Sequence, residues 1–175
     1  MKNKFTFSEE NLKKVTEILE KYPKERQKSA VIPLLDLAQR QNKGYINSSI
    51  IEYIAGIIKQ PYIKIYEIVS FYSMFYDCKV GKYNLQICTT TPCWLKDQNK
   101  KIINKIIELT AINYNPNNNI EHNTSRDKLF SITEVECLGA CINAPIIQIN
   151  DDYMENVTVE KISSWIKKVK KEENI

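Results

Sequence analysis

Apolar residues recur every three or four positions through the first half of the chain, and every second position through parts of the rest. Leu12, Val15, Ile18 and Leu19 fall on one helical face, with Ser8 placed as N-cap before Glu9 and Glu10 and Pro23 closing the run. Val31, Leu34, Leu35 and Ala38 form a second face, with Pro33 near its start and Gly44 past its end. Ile50, Ile51, Ile54, Ile57 and Ile58 form a third, capped by Ser48 or Ser49. After Pro61 the segment IKIYEIVSFYSMFY is apolar nearly all round, which predicts a helix buried on more than one side. Short helices with short links predict an all-α bundle over residues 1–77.

The period then changes. Tyr83, Leu85 and Ile87 alternate with Lys82, Asn84 and Gln86, a strand pattern that runs into Cys88. Pro92 suits the first turn of a helix, and Leu95, Ile102, Ile103, Ile106, Ile107 and Leu109 continue it to about residue 112. Asn113 to Asp127 is Asn-rich, contains Pro116 and reads as a surface loop. LFSITEVEC alternates into Cys137, PIIQIND follows Cys141 as a short strand, and YMENVT pairs beside it. Thr158 caps a closing helix carrying Val159, Ile162, Trp165, Ile166 and Val169. The expected class is α+β, a helical bundle followed over residues 78–175 by the element order of a minimal thioredoxin-like domain. Pro145 begins the strand after Cys141, and an X-Pro bond is the one place where a cis peptide is cheap; cis and trans are both open there.

Four of the five cysteines form two local pairs, Cys88 with Cys93 in ICTTTPCWL and Cys137 with Cys141 in ECLGACINAP. Spacings of this kind place thiolates on tight turns with chelating reach. A [2Fe–2S] cluster takes four thiolates, two per iron. It is a net anion that gains one more negative charge on reduction, so donors around it matter. Thr89, Thr90 and Thr91 offer hydroxyl and N–H groups, the expected helix at Pro92 offers its positive end, and Gly139 lets the second loop pass close. Zinc remains an alternative, although it more often uses Cys-x2-Cys knuckles. Cys-x-x-Cys is absent, so the pattern does not suit dithiol exchange. Cys78 follows an aromatic-rich stretch and reads as a small apolar residue, and His122, the one histidine, as an exposed bystander.

Composition adds exclusions. Hydrophobic content of 43% and charged content of 26% suit a folded globular chain. The net charge of +4 is spread along the chain, and no basic stripe is interleaved with aromatics, so nucleic acid is not an expected partner. No apolar run reaches the ~18–20 residues of a membrane span, and MKNKFTFSEE lacks a signal or transit pattern. Direct membrane insertion is therefore not expected. No Gly-rich phosphate loop and no nucleophile–base set is visible, which leaves no catalytic residues to nominate.

The stretches SAVIPLLDLAQRQNKGYI, YEIVSFYSMFY, VGKYNLQICTTTPCWL and VECLGACINAPIIQINDDYMENVT resemble the thioredoxin-like [2Fe–2S] subunits of NADH:quinone oxidoreductase (respiratory complex I), known in bacteria as the E subunit. The CTTTPC loop is similar to that of the mitochondrial and related bacterial branch. The resemblance implies that Cys88, Cys93, Cys137 and Cys141 ligate one [2Fe–2S] cluster. It also implies electron exchange with FMN in a larger NADH-binding flavoprotein subunit. Other peripheral-arm subunits of complex I follow as partners, on the cytoplasmic side of the bacterial inner membrane. Equivalent subunits of NAD-linked hydrogenases and formate dehydrogenases share the pattern. The chain departs from the family near Asp97, where a glycine is common, and in the loop NPNNNIEHNTSRDK.

Overall fold

The computed structural model describes residues 4–96, 99–117, 120–121 and 123–174. The architecture is α+β, in two units, Met1–Lys79 and Val80–Ile175.

The first unit is built from α1 (Glu9–Glu20), a 3-10 helix (Lys24–Ala30), α2 (Val31–Gln41), α3 (Ser48–Ile58) and α4 (Tyr62–Phe71). Ser8 caps α1 by accepting from the Asn11 N–H. The cap of α3 is Asn47 rather than either serine: its backbone is extended, and its side chain accepts from the Ile50 N–H at 3.0 Å. Ser48 is already the first helical residue, and Ser49 Oγ accepts from the Phe5 N–H at 2.7 Å. Leu34, Leu35, Ala38, Ile50, Ile54 and Ile65 are among the residues of one buried core. Gln41 ties the N-terminal segment to α2, accepting from the Ser8 N–H and donating to the Thr6 carbonyl.

The expectation for α4 is overturned. Only Ile65 and Val69, one turn apart, are buried. Tyr62, Ile63, Tyr66 and Phe71 are exposed, Phe71 at 79%. An all-round apolar helix needs cover on every side, and the unit provides it along one stripe.

The second unit holds a four-stranded sheet in the order β2-β1-β3-β4, from β1 (Tyr83–Cys88), β2 (Phe130–Val135), β3 (Ile147–Ile149) and β4 (Asp152–Met154). β1 runs parallel to β2 and antiparallel to β3, and β4 returns antiparallel to β3. Leu85, Ile87, Phe130, Ile132, Ile147 and Ile149 share a core with α6 (Asn99–Thr110) and α7 (Val159–Glu172). Thr158 caps α7 as its position predicts, accepting from the Lys161 N–H.

The long helix expected from Pro92 is two elements. α5 (Thr91–Trp94) is a single turn closed by Leu95, and α6 begins at Asn99. A one-turn helix carries little aligned dipole, so the charge argument for Pro92 lapses. The Asn-rich stretch is also less open than its composition suggests. Asn123 and Ser125 are buried, Thr124 bridges to Ser131, and Asn115 and Asn123 exchange hydrogen bonds. His122 and Asp97 lie outside the described residues.

Candidate metal centre

Because β1 and β2 run parallel with Cys88 opposite Val135, both strands release the chain at the same end of the sheet. Cys88 ends β1, its N–H donating to the Ile146 carbonyl at 3.2 Å, and the Thr89 N–H extends the ladder to the Val135 carbonyl at 3.1 Å. Thr90 then turns the chain into α5, where the Cys93 N–H donates back to the Thr90 carbonyl. This returns the Cys93 thiol to hydrogen-bonding reach of Cys88. Both sulfur residues are 1% exposed and pack with Ala144, Ile146, Leu138 and Ala140.

The second loop leaves β2 and carries the other pair. Cys137 and Cys141 are exposed, and their Sγ atoms lie 3.3 Å apart. Gly139 makes the turn at φ +79°, and its N–H donates to Cys137 Sγ at 3.4 Å. A Cβ there meets nothing within 4 Å, so glycine is required by the backbone angle rather than by crowding from the protein. The Ala144–Pro145 bond is cis. The two pairs face each other: the charge of Cys88 acts on both Cys137 and Cys141 across the gap.

Proton affinities alternate within each pair. Burial pushes the Cys88 thiol up, but hydrogen bonds from Thr90, Cys93 and the Leu138 backbone together bring it below the ordinary thiol value. Burial, and then Cys88, push Cys93 up to about 11. The Gly139 N–H, and then Cys141, lower Cys137, while the hydrogen bond with Cys137 raises Cys141. Each pair thus holds one thiol of lowered proton affinity beside one of raised affinity, and a metal would displace the protons of both. Two thiolates on one tetrahedral metal at ~2.3 Å stand ~3.8 Å apart, so the outer pair needs to open by only about half an ångström. Among the described residues no three His, Cys, Asp or Glu side chains gather as a site for one ion; the thiols form two pairs.

Of the three threonines, Thr90 is the one whose hydroxyl meets sulfur, 3.2 Å from Cys88 Sγ. Thr89 Oγ1 donates to the Val135 carbonyl instead, and Thr91 is the first residue of α5. Two supporting residues escaped the sequence reading. Asn99, 2% exposed, donates from Nδ2 to the Cys88 carbonyl at 2.9 Å. Its signal was present: it begins the buried stripe of α6 that continues through Ile102, Ile103 and Ile106 to Thr110, a polar residue at helical spacing with apolar ones. Tyr153 on β4 donates its hydroxyl to the Leu138 carbonyl at 2.7 Å, bracing the outer loop. Cys78 is half-buried and belongs to the first unit.

Residues 15–170 match the family model of the thioredoxin-like [2Fe-2S] ferredoxins. The chain belongs to the thioredoxin-like [2Fe–2S] ferredoxin family. Membership in this ferredoxin family selects iron and sulfide over the zinc that spacing left open. The chain is 46% identical to the E subunit of NADH-quinone oxidoreductase from Rickettsia felis over 168 residues, covering 95% of each chain. It is 47% identical to the protein of that name from Rickettsia typhi over 163 residues, 93% of this chain and 91% of the relative. Among solved structures it is similar to an NAD+-reducing [NiFe]-hydrogenase in the H2-reduced state, with a TM-score of 0.63 at 18% identity. That likeness covers 78% of this chain and 22% of the hydrogenase chain, and it speaks for the ferredoxin fold alone. No helix among the described residues is long and apolar enough to cross a membrane.

Proposed function

We propose that this chain is the E subunit of an NADH:quinone oxidoreductase, an electron-transfer component in which Cys88, Cys93, Cys137 and Cys141 hold one [2Fe–2S] cluster. The observation that carries the reading is the pair of facing thiol pairs at one end of the sheet, in a chain that spans nearly the full length of its oxidoreductase relatives. When bound, the cluster supplies a centre that accepts and returns one electron. The protein's own residues supply the rest. Cys88 and Cys93 form the dry inner wall, Cys137 and Cys141 the outer rim, and Thr90, Gly139 and Asn99 fix their orientation.

The electron partner is the flavoprotein subunit that binds NADH and FMN, in company with the other peripheral-arm subunits. The rim suits such a partner. Leu95, two residues after Cys93, is 75% exposed, and Ile142, directly after Cys141, is 93% exposed. Apolar side chains held in water beside a redox site favour a protein covering. The exposed face of α4, with Tyr62, Ile63, Tyr66 and Phe71, is a second surface suited to burial in the complex. On this reading residues 1–77 dock and residues 78–175 carry the electron. The protein is peripheral and sits on the cytoplasmic side of the bacterial inner membrane.

Anaerobic purification with iron and sulfide assay, then EPR after dithionite reduction, tests the cofactor. About two irons and two sulfides per chain, with a signal from one unpaired spin, is the expected result. Colourless zinc-loaded protein, never exposed to air, overturns it. Affinity capture from the native membrane fraction tests the partner. Recovery of an FMN-containing subunit with quinone reductase activity is expected, and recovery with a nickel–iron hydrogenase, or as a stable monomer, reassigns the complex.

A further inference from the structure

Thr90 occupies the N-cap position of α5 with the extended backbone that a capping threonine adopts, φ −74° and ψ 165°. A threonine there ordinarily turns its hydroxyl onto a free N–H of the first helical turn. This one makes no side-chain cap bond. The hydroxyl is turned the other way, 3.2 Å from Cys88 Sγ. Of the triplet, it is the one threonine whose hydroxyl meets a cysteine sulfur. Its neighbour Thr89 spends its hydroxyl on the Val135 carbonyl.

We infer that Thr90 is a positioning residue that sets the reduction potential of the centre by donating its hydroxyl proton to the Cys88 thiolate. The inference rests on the cluster reading above. A ligated thiolate has no proton, so the direction of the hydrogen bond is fixed: the hydroxyl donates and sulfur accepts. Donation withdraws charge from sulfur and stabilises the reduced form, which carries the extra electron, more than the oxidised form. Removing the hydroxyl therefore lowers the potential.

The test is an EPR-monitored redox titration of the full-length, cluster-loaded chain, with dithionite as electron donor through soluble mediators. Wild type is compared with Thr90→Val, Thr90→Ala, Thr90→Ser and Thr89→Val. At the wild-type midpoint, Thr90→Val and Thr90→Ala are expected to show a reduced-to-oxidised ratio about tenfold lower, which is about 59 mV for one electron. Thr90→Ser restores the hydroxyl and the potential. Thr89→Val, which removes a hydroxyl not aimed at sulfur, leaves the potential in place. A loaded Thr90→Val or Thr90→Ala with an unchanged midpoint overturns the inference, as does an equal shift in Thr89→Val. If neither hydroxyl-free variant retains the cluster, the residue holds the centre together rather than setting its potential, and the inference is overturned. Failure of wild type to assemble a two-iron centre is a different result, and it removes the cluster reading itself.

Discussion

Replacing Asn99 by leucine removes one hydrogen bond to the ligand loop and keeps the side chain near its original size. Asn99 Nδ2 lies 2.9 Å from the carbonyl oxygen of Cys88, and both residues are almost fully buried. A buried carbonyl deprived of its partner costs ~1–3 kcal/mol, more than the ~1 kcal/mol net value of the bond itself. Leucine offsets about 1 kcal/mol of this by adding apolar surface to the α6 stripe. The balance is a destabilisation of roughly 0–2 kcal/mol, or about a fivefold fall in the folding equilibrium constant at the middle of that range. Urea unfolding of the cluster-free chain reads the stability, and the decay of visible absorption under a chelator reads the cluster lifetime. Both should fall together, because the lost bond holds the backbone of a ligand. Asn104→Leu, on the exposed side of the same helix, serves as control and should stay within about 0.5 kcal/mol of wild type. Asn99→Leu with wild-type stability and an unshortened cluster lifetime would refute the reasoning.

Gly81→Ala places a Cβ 2.5 Å from the Phe130 carbonyl carbon and 2.8 Å from the Ser131 nitrogen, both backbone atoms of β2, and should cost about 2–4 kcal/mol in a denaturant melt; a loss under 1 kcal/mol contradicts the close approach. Cys137→Ser should abolish the two-iron centre in an iron and sulfide assay, while Cys78→Ser keeps it; a retained cluster in the first variant breaks the ligand assignment. The hydrogen bond from Lys82 holds the Glu173 carboxyl below its ordinary value, with Tyr83 assisting, and the same bond raises Lys82. The Glu173 contribution is present above the unfolded carboxylate range and lost as pH falls through the lowered value; that of Lys82 is present below its unfolded value and lost as pH rises through the raised one. Lys82→Met should move the Glu173 titration upward in an NMR pH series, and an unmoved curve rejects the pairing.

Helices whose ends are marked by one candidate cap were legible in the sequence, as Ser8 and Thr158 show. The start of α3 was not, because Asn47, Ser48 and Ser49 are three capping residues in a row and the backbone decides among them. The break between α5 and α6 was hidden because Leu95 keeps helical spacing with the isoleucines that follow, although it is 75% exposed. Periodicity also gave no account of what covers α4, since an apolar side chain reads the same whether its cover lies within the chain or outside it. At the site, local spacing was enough to pair Cys88 with Cys93 and Cys137 with Cys141. That Thr90 would forgo its cap, and that Asn99 would reach back to Cys88, depended on where two loops meet.

The parallel register of β1 and β2 has a consequence for how the chain can vary in length. The two cysteine loops are joined through α6 and the Asn-rich stretch, yet that connection does not set the gap between them. Neighbouring strands do, at ~4.8 Å. Residues inserted at the exposed turn near Pro116 and Asn117 lengthen a closed loop, and each doubling of a loop costs only about 0.6 kcal/mol. Such insertions leave Cys88 opposite Val135. One residue inserted between Cys88 and Cys93 has no such tolerance, because the single turn of α5 is all that brings the second thiol back to the first.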